Sequence, residues 1–184
     1  MKLRLFIFLL FNFISLANSK PFTISKNDEA FQIENPKGWE GFYNFMGFPL
    51  LFNGAYDQVK GRPSLSVTMT GIEDPGFDSN DLSQSQKNYF DGRKKWLDSR
   101  NGTFKKEIPY TQFFTKNKNK VFEIGFEYIL DNKSFIEKTF FYFCPSSMVH
   151  IKLLMNEAHR SFLPEISKVI QNAKCSKIPS RKSK

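Results

Sequence analysis

This sequence has little of the material from which most protein chemistry is built. It holds two cysteines and two histidines in 184 residues. A zinc site needs three or four such ligands at compatible spacing, and neither cysteine is available if the two are bridged. No G-x-S-x-G, no H-E-x-x-H and no phosphate-cradling glycine loop occurs. One acid-rich stretch, Asp74, Asp78, Asn80 and Asp81, has Leu82 and Ser83 where a calcium loop requires a ligand and a glycine. It reads as a loop that caps a helix. No catalytic residue, metal ligand or cofactor follows from the sequence, and none is assigned. Long apolar runs are also missing after the opening stretch, which leaves nothing able to span a bilayer as a helix.

That opening stretch differs from the rest. Lys2 and Arg4 precede an apolar run from Leu5 to Leu16, interrupted by Asn12 and Ser15, and small residues follow. The run is shorter than the ~20 residues of a membrane span and has the plan of a secretion signal. Cleavage is expected after Ser19, with Ala17 as the alternative. Export leaves one domain over residues 20–175, followed by a basic tail, 176–184, expected to be disordered. A domain of this size buries roughly 70% of the unfolded chain's surface. Of the 22 phenylalanines, four lie in the signal and the rest can supply a core.

The net charge of +9 is unevenly placed. Two of the surplus positive charges belong to the signal and five to the last eleven residues, so the body carries only +2. A near-neutral body with a basic end is not a basic binding face, and aromatic and basic residues do not interleave on any one strand. Specific nucleic-acid binding is therefore not expected, whereas contact of the tail with an anionic surface is an open alternative.

Cys144 and Cys175 form an even pair, and an oxidising compartment allows them to bridge. Closing that loop would stabilise the fold by roughly 3–4 kcal/mol.

Hydrophobic periodicity sets the architecture. Phe31 and Ile33 alternate in a strand stopped by Asn35-Pro36-Lys37-Gly38, with Trp39 after it. Pro49 to Phe52 reads as a short buried strand, and residues 63–72 alternate with Leu65, Val67 and Met69 inward. Residues 80–100 change to helical period, with Leu82, Tyr89, Trp96 and Leu97 on one face and a cap at Asn80 or Asp81. Four strands follow, over 104–114, 120–130, 134–144 and 147–155. Their short connections permit only antiparallel neighbours, so they form a meander. The strand 134–144 is apolar on both faces, with Phe141 and Phe143 on one and Phe140, Tyr142 and Cys144 on the other. Both faces of the sheet must therefore be covered. A last helix over 163–173 begins at Pro164 and carries Ile166, Val169 and Ile170 as its apolar stripe.

The order of these elements resembles the PsbP-like superfamily. The likeness is carried by Phe31-Gln32-Ile33-Glu34-Asn35-Pro36-Lys37-Gly38-Trp39 and by Phe162-Leu163-Pro164-Glu165-Ile166, and it spans about 29–173. It implies an α+β fold of α/β/α type, a central antiparallel sheet sandwiched between helices. It also implies a non-enzymatic role, docking on a protein partner in the cell envelope or outside the cell. No binding residue is carried over, because the matching motifs are structural.

One segment lacks a period of either kind. Residues 41–48 hold Phe42, Tyr43, Phe45, Met46 and Phe48. Folded inward they are core; exposed, they form a patch able to bind a partner. The leading expectation is an exported, monomeric binding or accessory protein acting through that patch. A small secreted hydrolase using His150 or His159 with a nearby carboxylate is the alternative, and an envelope-surface binder acting through the tail is a third. His150 is expected beside Lys152 on the outward face of its strand, and His159 in the turn before the last helix. Glu123 and Glu127 share a strand face, where Lys138 is the expected partner. The sequons at Asn101 and Asn132 fall in expected turns.

Overall fold

The structure, a computed structural model, describes residues 20–71, 77, 78 and 80–178. The expected signal and its cleavage sites, Asp74 and residues 179–184 lie outside the described residues. In chain order the elements are β1 Phe22–Lys26, β2 Glu29–Ile33, β3 Glu40–Phe45, β4 Phe48–Asn53, β5 Ser64–Thr70 and α1 Leu82–Asp98. There follow β6 Thr103–Phe114, β7 Lys120–Leu130, β8 Lys133–Phe143 and β9 Met148–Asn156. A 3-10 turn over Glu157–Phe162, α2 Leu163–Asn172 and β10 Lys174–Lys177 complete the chain.

The expected four-strand meander is there, β6 to β9, as part of a larger sheet. β9 pairs with β5 as well as with β8, so the antiparallel sheet has seven strands in the order β3-β4-β5-β9-β8-β7-β6. Turn chemistry sets the registers. Asp131 and Asn132 both adopt positive φ in the two-residue turn from β7 to β8, and Leu130 pairs with Lys133 across it. Gly38, at φ 78°, occupies the third position of a turn closed by Trp39 N–H donating to Pro36 O at 3.0 Å. A positive φ there is the signature of a type II turn and suits glycine. The Asn-Pro-x-Gly-Trp stretch thus ends a strand and drops Trp39 into a corner against Phe162, 5.8 Å between ring centroids.

Alternation in β7 and β8 sorts side chains into two cores. Phe122, Ile124, Phe126, Tyr128 and Phe141 face α1, whose Phe90 and Leu97 are buried against them. Val121, Ile136, Phe140 and Tyr142 face the other way, onto Phe31, Ile33, Ile166, Val169 and Ile170. Asp81 caps α1 by accepting from Gln84 N–H at 3.0 Å, as the loop reading required.

Both faces of the sheet are covered: one carries α1, and the other carries α2 together with a second sheet, β1-β2-β10, which adds strands to the expected helical layer. Sequence periodicity passed over β1 and β10, of whose residues Ile24 alone is buried, so neither carries an apolar row to stand out. The boundary at 175 also moves. Ser176 and Lys177 belong to β10, paired with Ala30 and Glu29, and Ile178 N–H donates to Asp28 O at 2.8 Å.

Cys144 and Cys175 form a disulfide with Cα atoms 5.7 Å apart. It ties the end of β8 to β10, and so joins the two sheets rather than pinning α2 directly. Beside it the buried Glu29 accepts from Ser146 N–H at 3.0 Å and Ser147 Oγ–H at 2.5 Å, holding the β8–β9 turn to β2. A buried carboxylate is tolerable because both its oxygens are bonded.

Candidate binding site

Residues 41–48 form a β-hairpin, the strands β3 and β4 joined by a two-residue turn at Met46-Gly47, both with positive φ. Asn44 is also left-handed, at φ 50°. That single residue breaks the alternation, which is why the segment has no period of two. It also brings the Phe45 ring to 5.2 Å from Phe42. Among the described residues β3 is an edge strand, with no strand paired on the outer side of the hairpin. Tyr43 is 51% exposed, Phe45 42%, Met46 76% and Phe48 38%, while Phe42 is half-buried. On its inner side Tyr43 packs on Phe22, 5.3 Å between rings, and its hydroxyl accepts from Thr23 N–H at 2.9 Å.

Phe48 also lines a groove on the α1 face of the sheet. Because α1 lies over β6, β7 and β8, a step is left beside β5, whose Ser66 and Thr68 form the groove floor. Tyr89 and Arg93, one helical turn apart, make the α1 wall. Thr139 and Phe141 of β8 and His150 and Lys152 of β9 complete it, around a cavity of about 430 Å³.

Beneath the groove sits Glu137, 3% exposed. One of its oxygens, Oε1, takes Arg93 at 2.8 Å and Lys152 at 3.1 Å, and Tyr89 O–H donates to it at 3.4 Å. The Arg93 guanidinium further lies over the Tyr89 ring at 5.4 Å. Burial holds the Lys152 ammonium below the usual lysine value, against the attraction of Glu137. Burial likewise raises the Tyr89 phenol, and Glu137 adds to the rise.

The sequence placed Tyr89 on a helix and Lys152 on a strand, and it did not join them to Arg93 or Glu137. One signal was present. Along β8 the α1-facing positions run Phe135, Glu137, Thr139, Phe141, and a carboxylate in an otherwise apolar row needs a buried partner. Which residues supply it depends on the packing of α1.

The two histidines lie against different parts of the fold. His150 meets the edge of Phe141 in the groove, 4.9 Å between rings. His159 stacks on Phe162 and approaches Gly61 O at 3.4 Å, beside the turn where Asp57 Oδ1 accepts from Val59 and Lys60 N–H. His150 lies opposite Phe141, four positions along β8 from Glu137. Four residues of strand span about 13 Å, far beyond hydrogen-bond reach. Glu123 pairs with Lys138 as expected, whereas Glu127 turns to Arg160 at 2.8 Å. Among the described residues no group of three or more His, Cys, Asp or Glu is placed to hold a metal ion, and no helix is long and apolar enough to cross a membrane. Asn101 and Asn132 are both exposed, in turns with positive φ.

Tyrosine burial around these cores gives a pH prediction. Burial, reinforced by Glu137, raises Tyr128 from 10.0 to about 12, and burial raises Tyr89 and Tyr142 as well. Below pH 10 these phenols are neutral in both folded and unfolded chains. Above it the unfolded chain releases protons that the folded chain retains, so stability falls as pH rises through the folded values. Denaturant midpoints are expected to drop between pH 10 and about 12, the Tyr128 window. Phenolate absorbance should rise together with unfolding. A midpoint that holds flat through that window contradicts the assignment.

No family model matches the chain, and no curated protein matches it in sequence. Its fold is similar to that of LpqN of Mycobacterium tuberculosis, described as involved in cell envelope biogenesis. The two are 12% identical over 85% of this chain and 91% of LpqN, with a TM-score of 0.59. It is also similar to cyanobacterial PsbP (CyanoP) from Synechocystis sp. PCC 6803, 12% identical over 88% of this chain and 96% of CyanoP, with a TM-score of 0.53. At that identity the likeness establishes the fold, which is α+β and PsbP-like.

Proposed function

We propose that this chain is an exported, non-enzymatic accessory protein that docks onto a protein partner through the β3–β4 hairpin. The observation that carries the reading is the exposure of Tyr43, Phe45, Met46 and Phe48 at one hairpin on a sheet edge. Large apolar side chains clustered in water mark interaction surfaces, and aromatic residues dominate binding energy where they are desolvated. Export is supported by the basic-then-apolar opening stretch and by the Cys144–Cys175 bond, which suits an oxidising compartment. The envelope role of LpqN, a protein of similar fold, points the same way.

The test is the variant Y43S/F45S/M46S. These side chains are exposed, so its thermal melting is expected to stay close to wild type, apart from the Tyr43 contacts with β1. Partner capture from the exported fraction should fall by about thirty-fold or more, the effect of losing one strong anchor. A variant that melts normally and retains the same partner at the same affinity rejects the hairpin.

A further inference from the structure

The groove beside the hairpin carries an excess of positive charge. Arg93 and Lys152 converge on a single oxygen of Glu137, at 2.8 and 3.1 Å, so two cations share one buried anion. A guanidinium has five N–H donors and an ammonium three, more than that oxygen can accept. Both side chains are partly open, 27% and 36% exposed, on a groove that Phe48 and Phe141 line with apolar surface. Among the described residues no second carboxylate pairs with either cation. The hairpin tip and the groove are continuous through Phe48.

Resting on the docking reading above, we propose that the partner's contacting segment inserts an acidic side chain, Asp or Glu, into this groove between Arg93 and Lys152. Apolar residues flanking the acid lie on Phe48 and the exposed hairpin. The incoming carboxylate neutralises the excess charge and takes the donors that Glu137 leaves over. Bonds from cationic donors to a carboxylate are the stronger kind, and a partly desolvated setting strengthens them. Charge complementarity of this kind selects a partner as much as it tightens one. An uncharged segment would cover the cations without compensating them, which disfavours it.

The experiment is selection of a random-peptide phage library on the full chain. Enriched peptides are expected to carry Asp or Glu between aromatic or aliphatic residues. The leading peptide, synthesised with Glu and with Gln at that position, gives a double-mutant cycle against Lys152→Gln. Either change alone should weaken binding about ten-fold, and the two together little further, since they remove one contact. Thermal melting checks that Lys152→Gln is folded, and Asp91→Ala, on the same helix as Arg93 and outside the groove, should keep the affinity. Enriched peptides without an acid, or two effects that simply multiply, overturn the acidic-insert proposal and leave the hairpin reading standing. A hairpin variant F45S/M46S that still binds the acidic peptide fully rejects the hairpin instead. A library that yields no enriched peptide overturns both.

Discussion

Replacing Cys144 and Cys175 by serine is expected to lower the free energy of unfolding by about 3–4 kcal/mol. The bond closes a loop with a sequence separation of 31, and in the chain-entropy account most of the loss comes from the larger freedom of the unfolded chain. The folded state pays as well. β10 has four residues and, among the described residues, pairs with β2 alone, so the bond is its covalent tie to the end of β8. Without it the three-stranded sheet is held by Glu29 on the β8–β9 turn and by Phe31 and Ile33 in the core. Denaturant midpoints of C144S/C175S and of reduced wild-type protein should fall together. Hydrogen exchange should show β10 and β2 opening ahead of β7 and β8, because the small sheet loses its anchor first. A midpoint unchanged by reduction would contradict the linking role given to the bond.

Glu137→Ala is the other large effect, about 2–4 kcal/mol of destabilisation. The carboxylate is buried, and its removal leaves Arg93 and Lys152 close together without their shared anion. Full burial would place the cost near the top of the range for breaking a buried ion pair. The partial exposure of both cations lets water compensate some of it. Glu137→Gln, which keeps shape and one acceptor, should lose less. Asp91→Ala, which breaks the exposed Lys87–Asp91 pair on the same helix, should change little. Chemical denaturation of the three variants measures the order. Should E137A prove no more costly than D91A, the buried network does not stabilise the fold.

Legibility in the sequence followed length and period. β7, at eleven residues, and β5, at seven, alternate long enough to be recognised, and β7 is bounded by turn residues at 116–119 and 131–132. α2 was marked by Pro164 and its Ile166, Val169, Ile170 stripe. The cysteine pairing had only one solution. The hairpin was hidden by one left-handed residue, Asn44, and by a Met-Gly turn that lacks the usual Asn-Gly mark. β1 and β10 bury little of their own, yet with α2 they form the layer on the second face.

Local pattern and composition, then, were enough for the meander, for both helices, for the disulfide and for the absence of familiar catalytic motifs, because each depends on residues near one another in the chain or on a count. Tertiary structure alone decided that residues 43–48 lie open to water, that a second sheet joins α2 on one face, and that Arg93, Glu137 and Lys152 meet. The reason is distance along the chain: Arg93 and Glu137 come from a helix and a strand separated by two whole strands. A charge's partner, and hence whether it is compensated or left with donors to spare, is settled only when those layers pack.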